Sequence, residues 1–253
     1  MYVYLYDTFL THKAYDETLK EVETRLTDFG IAGKIIRLQK FTNCELVIEE
    51  EIRRGATTII IVGDDHTFGR VLSRAATCDI LFGFLPMGKE NSIAHVLGIP
   101  IGVDACDVLA RRRKIHLDVG WVNNRYFISQ LHILAHDIRV TYDEQFSVSS
   151  LNKKMELVVC NLQPFVWKGR GKESYVVHPQ DGKLEAFLRP VAKKRLFSDI
   201  YEEPSIFPFE EMEVVSDTPF EVISDGYSSK EKKIAIRLAK NKISMVVGKE
   251  RSF

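Results

Sequence analysis

Two short hydrophobic runs stand out in the first half of the chain, and each run ends at a polar loop. The first run, residues 58–62, reads Thr-Ile-Ile-Ile-Val and is followed by Gly-Asp-Asp-His-Thr. The second run, residues 80–85, is followed by Pro-Met-Gly-Lys-Glu-Asn. An uninterrupted β-branched run such as the first is typical of a strand buried on both faces of a parallel sheet, and the second run is similarly apolar. Ligands bind at the carboxyl edge of such sheets, so both loops are candidates for a phosphate-binding site.

The hydrophobic pattern around these runs predicts two types of structure. Predicted strands and amphipathic helices alternate four times before residue 98, which predicts a doubly wound parallel sheet. After residue 100 the pattern changes to short strands, with a hairpin predicted from segments 115–122 and 125–128 and a turn at Asn123-Asn124. The sequence therefore predicts an α/β domain over residues 1–108 and a β-rich domain over residues 109–253.

Composition removes several classes of function. The 253 residues carry 35 basic and 35 acidic side chains, so no overall charge favours nucleic acid as a partner. The hydrophobic runs are far shorter than the ~20 residues of a membrane span. The four cysteines are scattered without the spacing of a zinc site, and we expect reduced thiols in a cytoplasmic protein.

The two loops and the order of the segments around them resemble one family. Residues 63–67 resemble the G-G-D-G-T loop of diacylglycerol kinases and related lipid kinases, which also recurs in NAD kinases. Residues 86–94 resemble the P-L-G-T-G-N-D-F-A loop that follows it in bacterial lipid kinases. Segments of the second half resemble, in the same order, the β-sandwich domain of that family. The resemblance implies a Rossmann-like nucleotide-binding domain and a β-sandwich substrate domain, with the last strand, residues 242–247, returning to the first domain.

The resemblance also implies an activity, which is the transfer of the ATP γ-phosphate to a lipid or other small-molecule hydroxyl with the help of Mg²⁺. Asp65 and Asp225 match the family's catalytic positions, and Asp65 is also the expected metal ligand. An anionic membrane surface is a further expected partner, through the basic run 111–114, and a homodimer stays open. The residues implied to bind the nucleotide are Gly63, Asp64, His66, Thr67, Gly88, Lys89 and Asn91.

Departures from the family pattern keep a second interpretation open. Asp64, His66 and Glu90 stand where the family has glycine, Tyr227 stands where it has glutamate, and Asp7 stands where its first strand ends in an Asn-Pro turn. These changes favour a kinase-like protein that has lost catalysis and binds a nucleotide, a lipid or a protein partner. The loop after the first run also fits a simple helix N-cap. An NAD kinase is less favoured, because the second half follows the lipid-kinase order.

Overall fold

The computed structural model describes residues 1–150, 153–168, 172–194 and 199–253. Contacts within the chain divide it into two compact units. The first unit comprises residues 1–117 and 241–252, and the second comprises residues 118–240 with Phe253. No helix in the described part of the chain combines the length and the hydropathy that a bilayer span requires.

The first unit alternates strands and helices, as the sequence predicts. Its strands are β1 (Tyr2–Tyr6), β2 (Lys34–Arg37), β3 (Thr58–Gly63), β4 (Leu81–Pro86) and β5 (Lys114–Leu117). Its helices are α1 (Asp16–Asp28), α2 (Cys44–Arg53), α3 (Asp65–Ala75), α4 (Ser92–Val96) and α5 (Ala105–Arg111), and short 3₁₀ turns lie at Thr8–Thr11, Lys13–Tyr15 and Gly102–Asp104. The domain boundary predicted at residue 108 falls inside α5.

Four of these strands form the parallel sheet that the hydrophobic runs predict. They pair in the order β2-β1-β3-β4, and every residue of the central strand β3 is buried. Helix α3 buries Phe68, Val71 and Leu72 at helical spacing, and the Phe68 ring lies 5.0 Å from the Phe84 ring of β4. A strand covered on both faces needs apolar side chains at every position, which explains why β3 shows no polar alternation.

The second unit is built from antiparallel strands. They are β6 (Gly120–Val122), β7 (Arg125–Phe127), β8 (Gln130–His136), β9 (Arg139–Tyr142), β10 (Phe146–Ser149), β11 (Lys154–Cys160), β12 (Phe165–Lys168), β13 (Lys172–Tyr175), β14 (Leu184–Lys194), β15 (Asp199–Tyr201), β16 (Ser205–Phe209), β17 (Glu211–Ser224) and β18 (Tyr227–Leu238). All of these except β12 and β13 belong to one large sheet, and β12 pairs with β13.

One hydrophobic core holds the large sheet together. It contains side chains from opposite ends of the pairing order, such as Phe127 of β7, Leu157 of β11 and Phe209 of β16. A register shift between Val215 and Phe220 bends β17, so that its two halves pair with β9 and β8. The predicted fold class is confirmed: an α/β Rossmann-like unit is combined with a β-sandwich.

The predicted hairpin pairs differently from expectation, because the last strand takes the place of one of its partners. Strand β19 (Ile243–Val246) pairs with β4 in parallel and with β5 in antiparallel orientation, so it joins the first sheet. The hairpin prediction was wrong in its first half, because β5 pairs with β19 and only β6 and β7 form the hairpin. The predicted turn is present, with Asn123 and Asn124 both at positive φ, as a two-residue hairpin turn requires.

One carboxyl group in the second unit is buried although not all of its hydrogen-bonding capacity is used by the described residues. Glu185 of β14 is 5 % exposed, and its Oε2 atom has no hydrogen-bond partner in the described part of the chain. Burial, together with the charge of Asp181, raises the pKa of the Glu185 carboxyl to about 7, although backbone hydrogen bonds act in the opposite direction. The neutral acid is therefore the form that the fold favours.

We predict that Glu185 makes the second unit less stable as the pH rises. Between pH 4.5, the ordinary pKa, and about pH 7 the folded chain binds a proton that the unfolded chain releases. The free energy of unfolding therefore falls through this window, by about 3 kcal/mol at most. In urea titrations at a series of pH values, Glu185→Gln should flatten this slope and stabilise the protein at pH 8. The exposed carboxyl variant Glu203→Gln is the control, and equal slopes in Glu185→Gln and wild type would contradict the prediction.

Candidate functional site

The two loops singled out in the sequence lie side by side in the first unit. Gly63 at the end of β3 pairs with Pro86 at the end of β4, and the Met87 amide donates to the Gly63 carbonyl at 2.7 Å. Because the strands are parallel and in register, their loops leave the sheet at the same edge. The prediction that these two loops lie at the same edge of the sheet is confirmed.

Asp65 joins the two loops. Its backbone amide donates to the Glu90 carbonyl at 2.9 Å. Its Oδ2 accepts from the Ser92 amide at 2.7 Å and the Ser92 hydroxyl at 2.6 Å, while its Oδ1 accepts from the Ile93 amide at 3.1 Å. The first amides of a helix lack intrahelical partners, and here a carboxylate from α3 satisfies those of α4. Both oxygens of Asp65 are therefore engaged within the protein.

Asp64 likewise satisfies a backbone amide at a helix N-terminus, here at the start of α3. It is the N-cap, and its Oδ1 accepts from the Thr67 amide at 2.9 Å and from the Thr67 hydroxyl at 2.9 Å. The alternative interpretation of this segment as an N-cap is thus confirmed for Asp64. Side-chain capping of this kind stabilises a helix by about 1 kcal/mol.

Behind this cap lies a polar network that sequence reasoning did not assign to the site. Asp7 follows β1 and is buried. Its Oδ2 accepts from the Thr67 hydroxyl at 2.8 Å and from Arg70 Nη2 at 2.8 Å. The Thr67 hydroxyl has one proton and lies between two carboxylates, those of Asp7 and Asp64. The position of Asp7 at the end of a strand next to β3 is the signal that could have pointed to it.

The two loop glycines face side chains of the chain itself. A Cβ at Gly63 would come 2.6 Å from the Thr67 hydroxyl oxygen, so glycine is required for Thr67 to pack there. Gly88 has φ +96°, and a Cβ there would come 3.1 Å from Cζ of Phe9. The Thr67 side chain therefore fills the space beside Gly63, and the Phe9 ring lies beside Gly88.

An open cleft of about 850 Å³ lies beside these loops. The Phe9 and Tyr15 rings meet edge to face at 5.3 Å. Lys89 and Glu90 are exposed on the second loop, and neither forms an ion pair with another described residue. The lining consists of aromatic, basic and acidic groups: Phe9, Thr11, His12, Ala14, Tyr15, Asp64, Gly88, Lys89 and Glu90.

Two other predicted nucleotide-binding residues lie near this cleft but do not line it. His66 is exposed in the first turn of α3. Asn91 donates from Nδ2 to the Gly88 carbonyl at 3.1 Å, while its Oδ1 is buried and accepts no hydrogen bond from the residues that the structure describes. A buried oxygen without a donor costs free energy, so Asn91 Oδ1 is suited to a ligand hydroxyl or a cation. No group of three potential metal-binding side chains occurs in the described ranges.

Asp225, the second predicted catalytic residue, belongs to the other unit. It lies in the turn between β17 and β18 at φ +43°, and its Oδ2 accepts from the Ile128 amide at 2.6 Å. The Ser129 amide donates to Oδ1 at 3.3 Å. Burial raises the pKa of Asp225 to about 6, although these amide bonds act in the opposite direction. Two residues further on, the Tyr227 ring lies 3.6 Å from the Arg125 guanidinium.

Comparison with known proteins identifies what the first unit is similar to. Residues 2–122 match the model of the diacylglycerol kinase catalytic domain. A diacylglycerol kinase of Staphylococcus haemolyticus is 28 % identical over 118 residues, which cover 46 % of this chain and 36 % of the relative. One of Staphylococcus carnosus is 25 % identical over 158 residues, covering 61 % of this chain and 48 % of the relative. The chain thus matches less than half the length of these relatives.

The similarity to a solved structure extends over both units. A crystal structure of a diacylglycerol kinase from Bacillus anthracis str. Sterne superimposes with a TM-score of 0.76, covering 98 % of this chain and 97 % of that chain. The sequence identity is 17 %, so this comparison supports the fold and not the activity.

The contact made by Asp65 can be tested through stability. We predict that Asp65→Ala lowers the free energy of unfolding by about 2 kcal/mol, because three donors of Ser92 and Ile93 lose their acceptor. Asp65→Asn, which keeps one carbonyl oxygen, should cost about half as much. Urea unfolding measures both values. Asp79→Ala, at an exposed carboxylate after α3, is the control, and a loss in Asp65→Ala no larger than in this control would contradict the cap.

Proposed function

We propose that this protein is an ATP-dependent lipid kinase, because residues 2–122 match the model of the diacylglycerol kinase catalytic domain. In the proposed reaction a lipid hydroxyl oxygen forms a bond to the γ-phosphorus of ATP. The bond between that phosphorus and the β,γ-bridging oxygen breaks, ADP leaves, and the hydroxyl proton passes to a base. The products are a phosphorylated lipid and ADP.

The observation that supports this proposal best is the arrangement around Asp65. It holds the loops after β3 and β4 together at the carboxyl edge of a parallel sheet, beside an open cleft. Positioning contributes much of the rate enhancement in phosphoryl transfer, so a fixed pair of loops is the element such a site needs. We therefore assign Asp65 a positioning role, because its carboxylate joins the loop after β3 to the start of α4.

The cleft has groups that fit a nucleotide with a divalent cation. The Phe9 and Tyr15 rings offer an apolar wall, and Lys89 on the loop forms no ion pair within the part of the chain that the structure describes. Oxygen ligands suit Mg²⁺, which proteins often hold through one or two carboxylates together with substrate phosphates. Asp64 and Glu90 are the carboxylates that line the cleft, and the proposal assigns the ion to them. When bound, Mg²⁺ would neutralise phosphate charge.

A proton acceptor is proposed in the second unit. Asp225 has a pKa raised to about 6, so at neutral pH its carboxylate is ionised and able to take a proton from a hydroxyl. The family resemblance matches Asp225 to a catalytic position, and the proton-accepting role is our proposal. Its backbone partners, the Ile128 and Ser129 amides, would hold the carboxylate in one orientation.

A second candidate function is nucleotide or lipid binding without phosphoryl transfer. Free amides at helix N-termini are natural phosphate-binding groups. In this chain the Asp64 and Asp65 carboxylates accept bonds from the amides of Thr67, Ser92 and Ile93. Amides that already donate to carboxylates are not available to a polyphosphate, and this observation favours a kinase-like protein that binds a lipid over one that transfers phosphate.

The proposed location and partners follow from the proposed reaction. ATP is present in the cytoplasm, and a lipid acceptor would be met at the inner membrane surface. The balanced charge of the chain, 35 basic and 35 acidic residues, gives no support to nucleic acid as a partner. A homodimer stays open.

Turnover by wild type and Asp65→Asn separates the two candidates. We predict that wild type phosphorylates diacylglycerol dispersed in detergent, and that Asp65→Asn lowers kcat about 100-fold because the loops lose their alignment. Radiolabelled phosphate transfer measures the rate, and circular dichroism checks the fold. Asp79→Asn, at an exposed position, is the control.

Each other outcome of that experiment has a meaning. Wild-type protein that binds ATP in calorimetry but phosphorylates no lipid or small alcohol would establish the binding-only function. Wild-type protein that neither binds ATP nor transfers phosphate would refute the kinase assignment. Full activity in Asp65→Asn would remove Asp65 from the mechanism.

The proposed role of Glu90 gives a prediction whose sign depends on magnesium. Without Mg²⁺, Glu90→Gln should raise ATP affinity several-fold, by about 1 kcal/mol, because a carboxylate near the polyphosphate is removed. With Mg²⁺ the same variant should lose that advantage, because a ligand of the ion is removed. Calorimetric titration with and without Mg²⁺ measures both affinities. The same change in affinity under both conditions would show that Glu90 does not contact the ion.

A further inference from the structure

The loop between β2 and α2 carries an apolar side chain that the protein leaves in water. Phe41 is 91 % exposed, the highest value among the large hydrophobic side chains that the structure describes. Burying a phenylalanine ring stabilises a fold, and this ring gains almost none of that stabilisation within the unit. A solvent-exposed aromatic ring at the tip of a loop is suited to insertion into an apolar environment outside the protein.

The location of Phe41 connects it to the candidate site. Strand β2 is parallel to β1, with Tyr6 paired to Arg37, so its loop leaves the sheet at the carboxyl edge. The loops that flank the candidate cleft leave the first sheet at that same edge. A surface that Phe41 enters would therefore face the edge of the sheet where the cleft opens.

Charge around the loop indicates which kind of surface would accept it. Residues 34–43 contain three basic side chains and no acidic one. Lys34 pairs with Glu51, but Arg37 and Lys40 form no ion pair in the described ranges. The Lys40 ammonium lies 5.9 Å from the centre of the Phe41 ring. The Arg37 guanidinium lies 5.9 Å from the centre of the Tyr6 ring. An exposed ring near cations that form no ion pair with the described residues matches an apolar interior covered by negative headgroups.

We propose that Phe41 inserts into the interface of an anionic lipid bilayer, with Arg37 and Lys40 contacting the headgroups. Leu46, 59 % exposed in the first turns of α2, is a second apolar contact. Apolar insertion and attraction to anionic lipid add together in interfacial binding. The inference rests on the proposed function in one respect, which is that the acceptor is a lipid.

Binding to vesicles tests the inference without any catalytic step. The probe is a vesicle of equal parts phosphatidylcholine and phosphatidylglycerol, with pure phosphatidylcholine as the uncharged reference. We predict that wild type co-sediments with the anionic vesicles at low salt and that Phe41→Ser weakens this binding about tenfold. The double variant Arg37→Ser/Lys40→Ser should weaken it by about fivefold per charge and reduce its salt dependence.

Two control variants make the result specific. Ile101 is 62 % exposed but has no cation within four residues on either side, so Ile101→Ser should bind like wild type. The basic run 111–114 is the competing surface, and within it Arg112 hydrogen-bonds to the Tyr2 hydroxyl and lies over its ring. We predict unchanged binding in Arg111→Ser/Lys114→Ser. Loss of binding there with Phe41→Ser intact, or no binding by wild type at low salt, would overturn the inference.

Activity measurements separate this inference from the proposed function. Phe41→Ser should phosphorylate a dispersed short-chain diacylglycerol at the wild-type rate, and vesicle-embedded diacylglycerol about tenfold more slowly. Equal rates on both substrates would overturn the docking role. Wild-type protein inactive on both substrates, with vesicle binding still lost in Phe41→Ser, would refute the proposed kinase function and support the docking surface.

Discussion

The hydrogen bonds accepted by the Asp65 carboxylate are the contact on which the candidate site depends. Asp65 starts α3, yet it satisfies amides at the start of α4, so one charged group fixes two loops that are separated by more than twenty residues. Backbone bonds from the Met87 amide to Gly63 and from the Asp65 amide to Glu90 also join the loops. The Asp65 carboxylate adds the side-chain contact that fixes the start of α4 against the first loop.

Beneath the loops the carboxylates already accept hydrogen bonds within the protein. Asp7, Asp64, Thr67 and Arg70 form a continuous network in which each carboxylate has a donor. On the second loop, the Lys89 ammonium, the Glu90 carboxylate and the Asn91 side-chain oxygen have no partner among the residues that the structure describes. The first unit therefore has polar groups bonded within the protein beneath the loops, and polar groups that are available to a ligand at the cleft. Ligand binding in a preformed cleft requires such an arrangement.

The sequence predicted what depends on local pattern. The β-branched run of β3 and the glycine-ended loops identified the parallel sheet and its carboxyl edge, and the N-cap interpretation of Asp64 needed only the residues next to it. Contacts between distant residues were missed. The bonds of Asp65 to α4 and of Asp7 to Thr67 depend on strand register, which no local pattern specifies. For the same reason β5 was assigned to a hairpin, although its partner is β19 at the far end of the chain.

The central claim is that a nucleotide binds in the cleft beside the two joined loops. Photo-crosslinking with an azido-adenine analogue of ATP, followed by peptide mapping, tests it most directly. The account predicts labelling of the segment that contains Phe9 and Tyr15, or of the segment from Met87 to Asn91, and protection of both by excess ATP. Protectable labelling confined to the β-sandwich unit, or no protectable labelling at all, would contradict it.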